Sequence, residues 1–193
     1  MENLKDHINH ENPDESKKEI TEDVKSLYFG LAEVYLKMGD LETCKSDFQM
    51  AVEKYLKALK IRRDYDNKFS RIIAEIYFNM AKVFDFDAKK CLTCFVKARL
   101  IMEYHMKQKL IEAGKTELAD KIAIDDSLLD EEEIDYKSVK AKNELHYQNE
   151  EFVKETLTSN ILDLSDIIKQ LDVKVNSIKL IIESLLIFFN FFL

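Results

Sequence analysis

The sequence predicts an all-α protein made of paired helical hairpins and closed by one long amphipathic helix. Three observations carry that expectation. Three Gly, one Pro and no Trp in 193 residues leave almost no turn punctuation, and about a third of the chain is charged. Apolar side chains recur every three or four residues over long stretches. One constellation also occurs twice: first as Tyr28, Leu31, Ala32, Tyr35, Gly39, Cys44, Phe48 and Ala51, then as Tyr77, Met80, Ala81, Phe84, Cys91, Phe95 and Ala98.

The offsets from Tyr28 are 3, 4, 7, 11, 16, 20 and 23. They are the places where a tetratricopeptide-type repeat sets its aromatic, small and turn residues. Small residues let two antiparallel helices approach, and aromatics fill the space beside them. A lone hairpin leaves an apolar face uncovered, so neighbours must stack. The second copy has a shorter turn and no Gly. The copies stand 49 residues apart, where about 34 is usual. Leu56 occupies the place of the usual terminating Pro, and helix formers continue through Tyr55–Arg63, so the second helix is expected to be lengthened.

Taken in order, residues 1–17 are polar and carry His7, His10 and Pro13. They read as a disordered tail; the two histidines lack a nearby third ligand for a metal. Ser16 followed by Glu19 resembles a capping box, and the first helix is expected to run from there to Met38. Gly39-Asp40 reads as its stop and as the next cap. The second helix is expected over Leu41–Arg63, a break over Asp64–Asn67 and the third helix over Lys68–Phe84. Asp87 reads as the cap of a fourth helix that ends near Ala113, with Gly114 as its stop. Residues 18–114 thus form two hairpins.

Residues 115–140 hold Asp125, Asp126, Asp130, Glu131, Glu132, Glu133 and Asp135. They read either as a solvated acidic linker or as a lure for Lys and Arg of a partner. Residues 141–180 form the last helix, whose stripe is Leu157, Ile161, Leu164, Ile168, Leu171, Val175 and Ile178. It is expected to cap the open end of the hairpin stack; a homodimeric coiled coil is the competing reading. Residues 181–193 are an apolar tail too short to span a bilayer, so packing or fraying is favoured over a membrane anchor.

Little in the chain suggests chemistry. Cys91 and Cys94 form a C-x-x-C, but no strand precedes them and no second cysteine pair exists, so packing is favoured over redox or zinc chemistry. No phosphate loop or nucleophile–base set is legible, and neither an enzyme nor a cofactor is expected. The cysteines, with no secretory signal at the N-terminus, point to a reducing compartment. A net charge of −8 argues against nucleic acid and for a basic partner. The expected binding face is the hollow side of the hairpins, lined by Phe29, Glu33, Leu36 and Lys37, then by Glu75, Phe78, Asn79, Lys82, Asp85 and Phe86. Its rings would hold apolar side chains and its carboxylates would pair with Lys or Arg.

The stretch Ser70-Arg71-Ile72-Ile73-Ala74-Glu75-Ile76-Tyr77-Phe78-Asn79-Met80-Ala81 resembles the signature helix of histone chaperones related to nuclear autoantigenic sperm protein. The extended Tyr55–Arg63 and the entry Asp64-Tyr65-Asp66 fit the same pattern, and the resemblance spans about residues 22–178. It implies binding of histone H3, alone or with histone H4, mainly in the nucleus, through the groove, the capping helix and an acidic segment. The residues placed in that role are Phe29, Glu33, Glu75, Phe78, Asn79, Asp85, Asp130, Glu131, Glu132 and Glu133. The chain departs from the family in having no acidic insertion inside its first hairpin. A co-chaperone adaptor that clamps an acidic peptide end is the alternative, with Asn79 at one clamp position.

Overall fold

Most of the chain that the computed structural model describes is helical; it describes residues 21–84, 87–135, 137 and 159–192, with side chains of the last stretch placed over 163–187. Among the described residues there are six α-helices and no strands. They are α1 (Glu22–Cys44), α2 (Phe48–Tyr65), α3 (Arg71–Val83), α4 (Ala88–Glu112), α5 (Thr116–Asp120) and α6 (Ser159–Phe192), with a short 3-10 turn at Asp126–Leu129. The expected tail 1–17, the cap at Ser16, Asp85, Phe86 and the first half of the expected capping helix lie outside the described residues.

The helices pack in chain order, α1 on α2, α2 on α3, α3 on α4, and α6 returns onto α4. The core gathers Leu36, Ala51, Tyr55, Ala58, Ile73, Ile76, Leu92, Ile101, Met106 and Ile168. Full burial of each large aliphatic side chain contributes about 2 kcal/mol. Asp87 caps α4, accepting from the Lys90 N–H at 3.1 Å, and Gly114 ends it with φ 71°, a conformation open to glycine. Both were legible in the sequence.

The first hairpin departs from expectation. Gly39-Asp40 does not end α1, which runs five residues further. Gly39 is buried against Tyr55, and a Cβ there would stand 2.4 Å from the ring. The glycine serves close approach of α1 and α2, not termination. Asp40 caps nothing; it accepts from the Tyr55 hydroxyl at 2.9 Å and from Asn79 Nδ2 at 3.4 Å, joining α1, α2 and α3. The turn falls at Lys45-Ser46, with Ser46 in the left-handed region at φ 62°, and Asp47 caps α2 through the Met50 N–H. Cys44 therefore ends α1 exposed instead of packing inside the second helix. Leu31, expected in the core, is 43 % exposed.

Two boundaries also move. Residues 115–135 are not a solvated linker. Ala119, Ile122, Leu129 and Ile134 are buried, Lys107 Nζ donates to the Ile122 carbonyl at 3.1 Å, and the Ile134 N–H donates to Thr93 Oγ1 at 2.9 Å. This segment lies along α4 because its apolar residues alternate with the acidic ones. The tail beyond residue 181 is not a separate piece: α6 continues through it to Phe192, since Leu, Ile and Phe without Gly or Pro give the helix no reason to stop.

α6 lays Leu164, Ile168, Leu171, Val175 and Ile182 onto α4. The described part of the stripe read from the sequence, from Leu164 to Val175, thus finds its cover within the same chain. A buried ion pair fastens the contact: Arg99 Nη1 donates to Asp172 Oδ1 at 2.8 Å, and Glu103 approaches the same guanidinium at 3.7 Å.

Candidate functional site

A groove opens where α3, α4 and α6 meet. It encloses a cavity of about 420 Å³. Its apolar floor is Ile72, Ala74, Ala98, Met102, Ile167 and Leu171; Arg71, Glu75 and Gln170 stand at the polar rim and Phe78 forms one wall. The spacing explains the placement. Arg71, Glu75, Phe78 and Lys82 follow one another by four, three and four residues along α3, so they share the face left over once Ile73, Ile76, Tyr77 and Met80 turn inward.

Two predicted residues meet in this cavity. Glu75 is exposed, and no described residue forms an ion pair with it. Its charge is available to a ligand. Phe78 is 39 % exposed. Its ring is edge-on to Phe95 at 5.8 Å, which fixes its orientation, and the Lys82 ammonium stands 5.5 Å from its centroid. Asn79 lies beside them, half-buried and turned to Asp40.

The other groove residues stand elsewhere. Phe29 does not floor the groove. Its ring lies under Arg62 of α2, 4.2 Å from the guanidinium carbon, with the Lys25 ammonium at 5.6 Å. Leu36 is fully buried on that side too. The face of α1 was read about one residue step, roughly 100°, away from where packing puts it. Glu33 is on the helix exterior, 3.5 Å from Lys37, and contributes nothing to the cavity. Asp85 lies outside the described residues.

Three of the seven carboxylates of the acidic segment face the protein's own cations. Asp130 accepts from Arg63 Nη2 at 2.9 Å. Glu133 pairs with Lys89 at 3.0 Å, and that hydrogen bond raises the lysine's affinity for its proton. Asp126 bonds Lys68, which holds its carboxyl below the ordinary range. The Glu131 carbonyl accepts from the buried Lys97, whose pKa is lowered by burial. Glu131 and Glu132 present exposed side chains. The lure is therefore smaller than its residue count suggests.

The cysteine pair lies in the first turns of α4. Cys91 Sγ donates to the Ala81 carbonyl at 3.2 Å, tying α4 to α3. Burial pushes the Cys94 thiol up to about 12. A thiol of that kind stays protonated near neutral pH and is a poor nucleophile. Among the described residues no group of three or more His, Cys, Asp and Glu could hold a metal. No described helix is long and apolar enough to cross a membrane.

The groove includes residues that the sequence reading did not place there. Arg71 lies four residues before Glu75 and shares its face, a signal that was available. Ile167, Gln170 and Leu171 come from a helix nearly a hundred residues further on, and only its docking on α4 brings them here. Comparison with family models, with curated proteins and with solved structures gives no match to this chain.

Proposed function

We propose that the chain is a binding protein for a basic helical partner, with histone H3 or a histone H3–H4 pair as the partner class, acting as a histone chaperone in the nucleus. The observation that carries this reading is the α3–α4–α6 groove. It has an apolar floor, a ring held at its edge by Phe95, and a carboxylate, Glu75, with no described cation against it. An amphipathic segment bearing Lys or Arg beside an apolar stripe complements those three features. The chain's net charge of −8 adds long-range attraction for a cationic partner.

The mechanism needs no chemical step. The partner's apolar residues enter the floor, and Phe78 covers them. Glu75 pairs with a cation at the rim, where partial exclusion of water makes the pair stronger than on an open surface. Exposed Glu131 and Glu132 add to the field without being fixed contacts. While held, the basic surface is kept from nucleic acid. The tetratricopeptide-type assignment of the hairpins belongs to this same reading. The second hairpin supports it through buried Tyr77, Met80, Ala81, Phe95 and Ala98, whereas the first follows the pattern loosely.

The adaptor reading keeps one foothold. Arg71 sits on the same rim and would meet a carboxylate of an acidic peptide. One titration separates the two. Labelled histone H3–H4 is expected to bind the wild-type chain, to weaken as salt rises, and to bind Glu75→Lys and Phe78→Ala at least about tenfold more weakly. An acidic peptide is expected to show no saturable binding. Histone binding unchanged in both variants removes the site, and saturable binding of the acidic peptide lost in Arg71→Glu moves the function to the adaptor class.

A further inference from the structure

The outer face of α1 carries an apolar stripe that no described residue covers. Val24, Leu27, Leu31, Val34, Met38 and Leu41 are all exposed, with Leu27 at 75 % and Val34 at 55 %. Their spacings are three, four, three, four and three, an unbroken seven-residue repeat with Val24, Leu31 and Met38 at one seam position and Leu27, Val34 and Leu41 at the other. The stripe runs about 26 Å at 1.5 Å per residue. The buried residues of α1, Ala32, Leu36 and Gly39, lie on the opposite side against α2. α1 is thus a helix with two apolar faces, and the described residues cover only one.

An apolar outer face is unusual for the end of a helical stack, whose terminal element normally turns a polar face to water. Strict seven-residue spacing is the pattern by which one helix packs along another in a coiled coil, seam against seam. Charge identifies the occupant. The positions flanking the seam include Lys37 on one side and Glu42 on the other, five residues apart. In a parallel pair of identical helices, those two positions face each other across the interface, so each Lys37 would meet the Glu42 of the other copy. Both now hold only local partners, Lys37 with Glu33 and Asp40, and Glu42 with Lys45. Residues 1–20 carry only Leu4, Ile8 and Ile20 as branched aliphatic side chains, too few to match six seam residues.

We infer that the outer face of α1 is a parallel homodimer seam, formed by Val24, Leu27, Leu31, Val34, Met38 and Leu41 of two copies and flanked by Lys37–Glu42 pairs. The groove between α3 and α6 is built by other helices and stays open in each copy. The inference stands apart from the proposed function, since it uses none of the groove residues.

Sedimentation of the full chain from about 1 µM to about 100 µM tests it. The wild type is expected to be dimeric at the upper end. Leu31→Glu is expected to sediment as a monomer with unchanged helical circular dichroism, because Leu31 lies outside the buried core. Lys37→Glu is expected to weaken the dimer, and Glu42→Lys in the same chain to restore it. In a Cys44→Ser background, Leu31→Cys is expected to form a disulfide-linked dimer under a mild oxidant, since equivalent seam positions meet only in the parallel arrangement. A wild type that remains monomeric at the top concentration overturns the inference. So does a dimer that survives Leu31→Glu, which would place the contact elsewhere, as on exposed Leu180, Ile181 and Leu185 of α6. A seam dimer in which Leu31→Cys fails to cross-link overturns the parallel arrangement.

Discussion

α4 and α1 are helices of similar length with opposite fates. α4 buries fourteen of its 25 residues, and α1 buries three of its 23, which makes one the axle of the molecule and the other its rim. Both end cleanly, and both belong to a hairpin. The difference is neighbours. α4 has α3 on one side, α6 on another and the 115–135 segment along a third. α1 has α2 and a brush with α3. How much of a helix is core is therefore decided by its place in the stack and only partly by its own composition, and the residues surplus to packing are where binding surfaces can arise.

The strongest way to break this comparison is to remove what closes α4. Arg99→Met takes away the guanidinium that the buried carboxylates of Asp172 and Glu103 share. Breaking such a pair costs about 3–5 kcal/mol, and urea unfolding followed by circular dichroism should show it. A loss below about 1 kcal/mol would mean that apolar contact alone holds α6. The used face of α1 answers next. Gly39→Ala drives a methyl into the Tyr55 ring, and a loss of about 1–3 kcal/mol is expected from the same melt, against a gain if the glycine mattered only for helix propensity.

Proton linkage probes the two helices at once. The Cys94 thiol on α4 has an ordinary value of 9.0 and the Tyr55 phenol packed on α1 one of 10.0; burial pushes each up to about 12. The unfolded chain gives up these protons first, so stability is whole below pH 9 and falls as pH rises from there toward 12. By pH 10 the Cys94 share is about 1 kcal/mol. Cys94→Ala should delay the alkaline fall in melting temperature to about pH 10, and an unchanged profile would exclude the thiol as its source. The smallest effect has the opposite sign. Ser46 holds a left-handed conformation at the end of α1, and Ser46→Gly should raise stability by about 0.5 kcal/mol in the same urea experiment.

Much of the second hairpin was legible before any coordinates. Asp87, Gly114, and the buried Tyr77, Met80, Ala81, Phe95 and Ala98 follow from local rules of capping and three-four periodicity. The first hairpin was misread at Gly39. A helix stop and a site of close approach both call for glycine, and only the position of the Tyr55 ring distinguishes them. The site was legible by halves. Glu75 and Phe78 share a face with Arg71 on one helix, which spacing alone reveals. Phe29 was lost because two faces of α1 are apolar, and periodicity cannot say which one meets α2.

The sequence by itself determined the existence of α1 to α4, both ends of α4 and the amphipathic stripe of α6, because these depend on contacts a few residues apart. Tertiary structure alone decided which of the two apolar faces of α1 is covered. It also set Asp126, Asp130 and Glu133 against the chain's own lysines and arginines, and brought residues 167–171 of α6 beside Glu75. Those outcomes depend on how whole helices compete for the same apolar area and counter-charges, and that competition is settled only when all of them pack together.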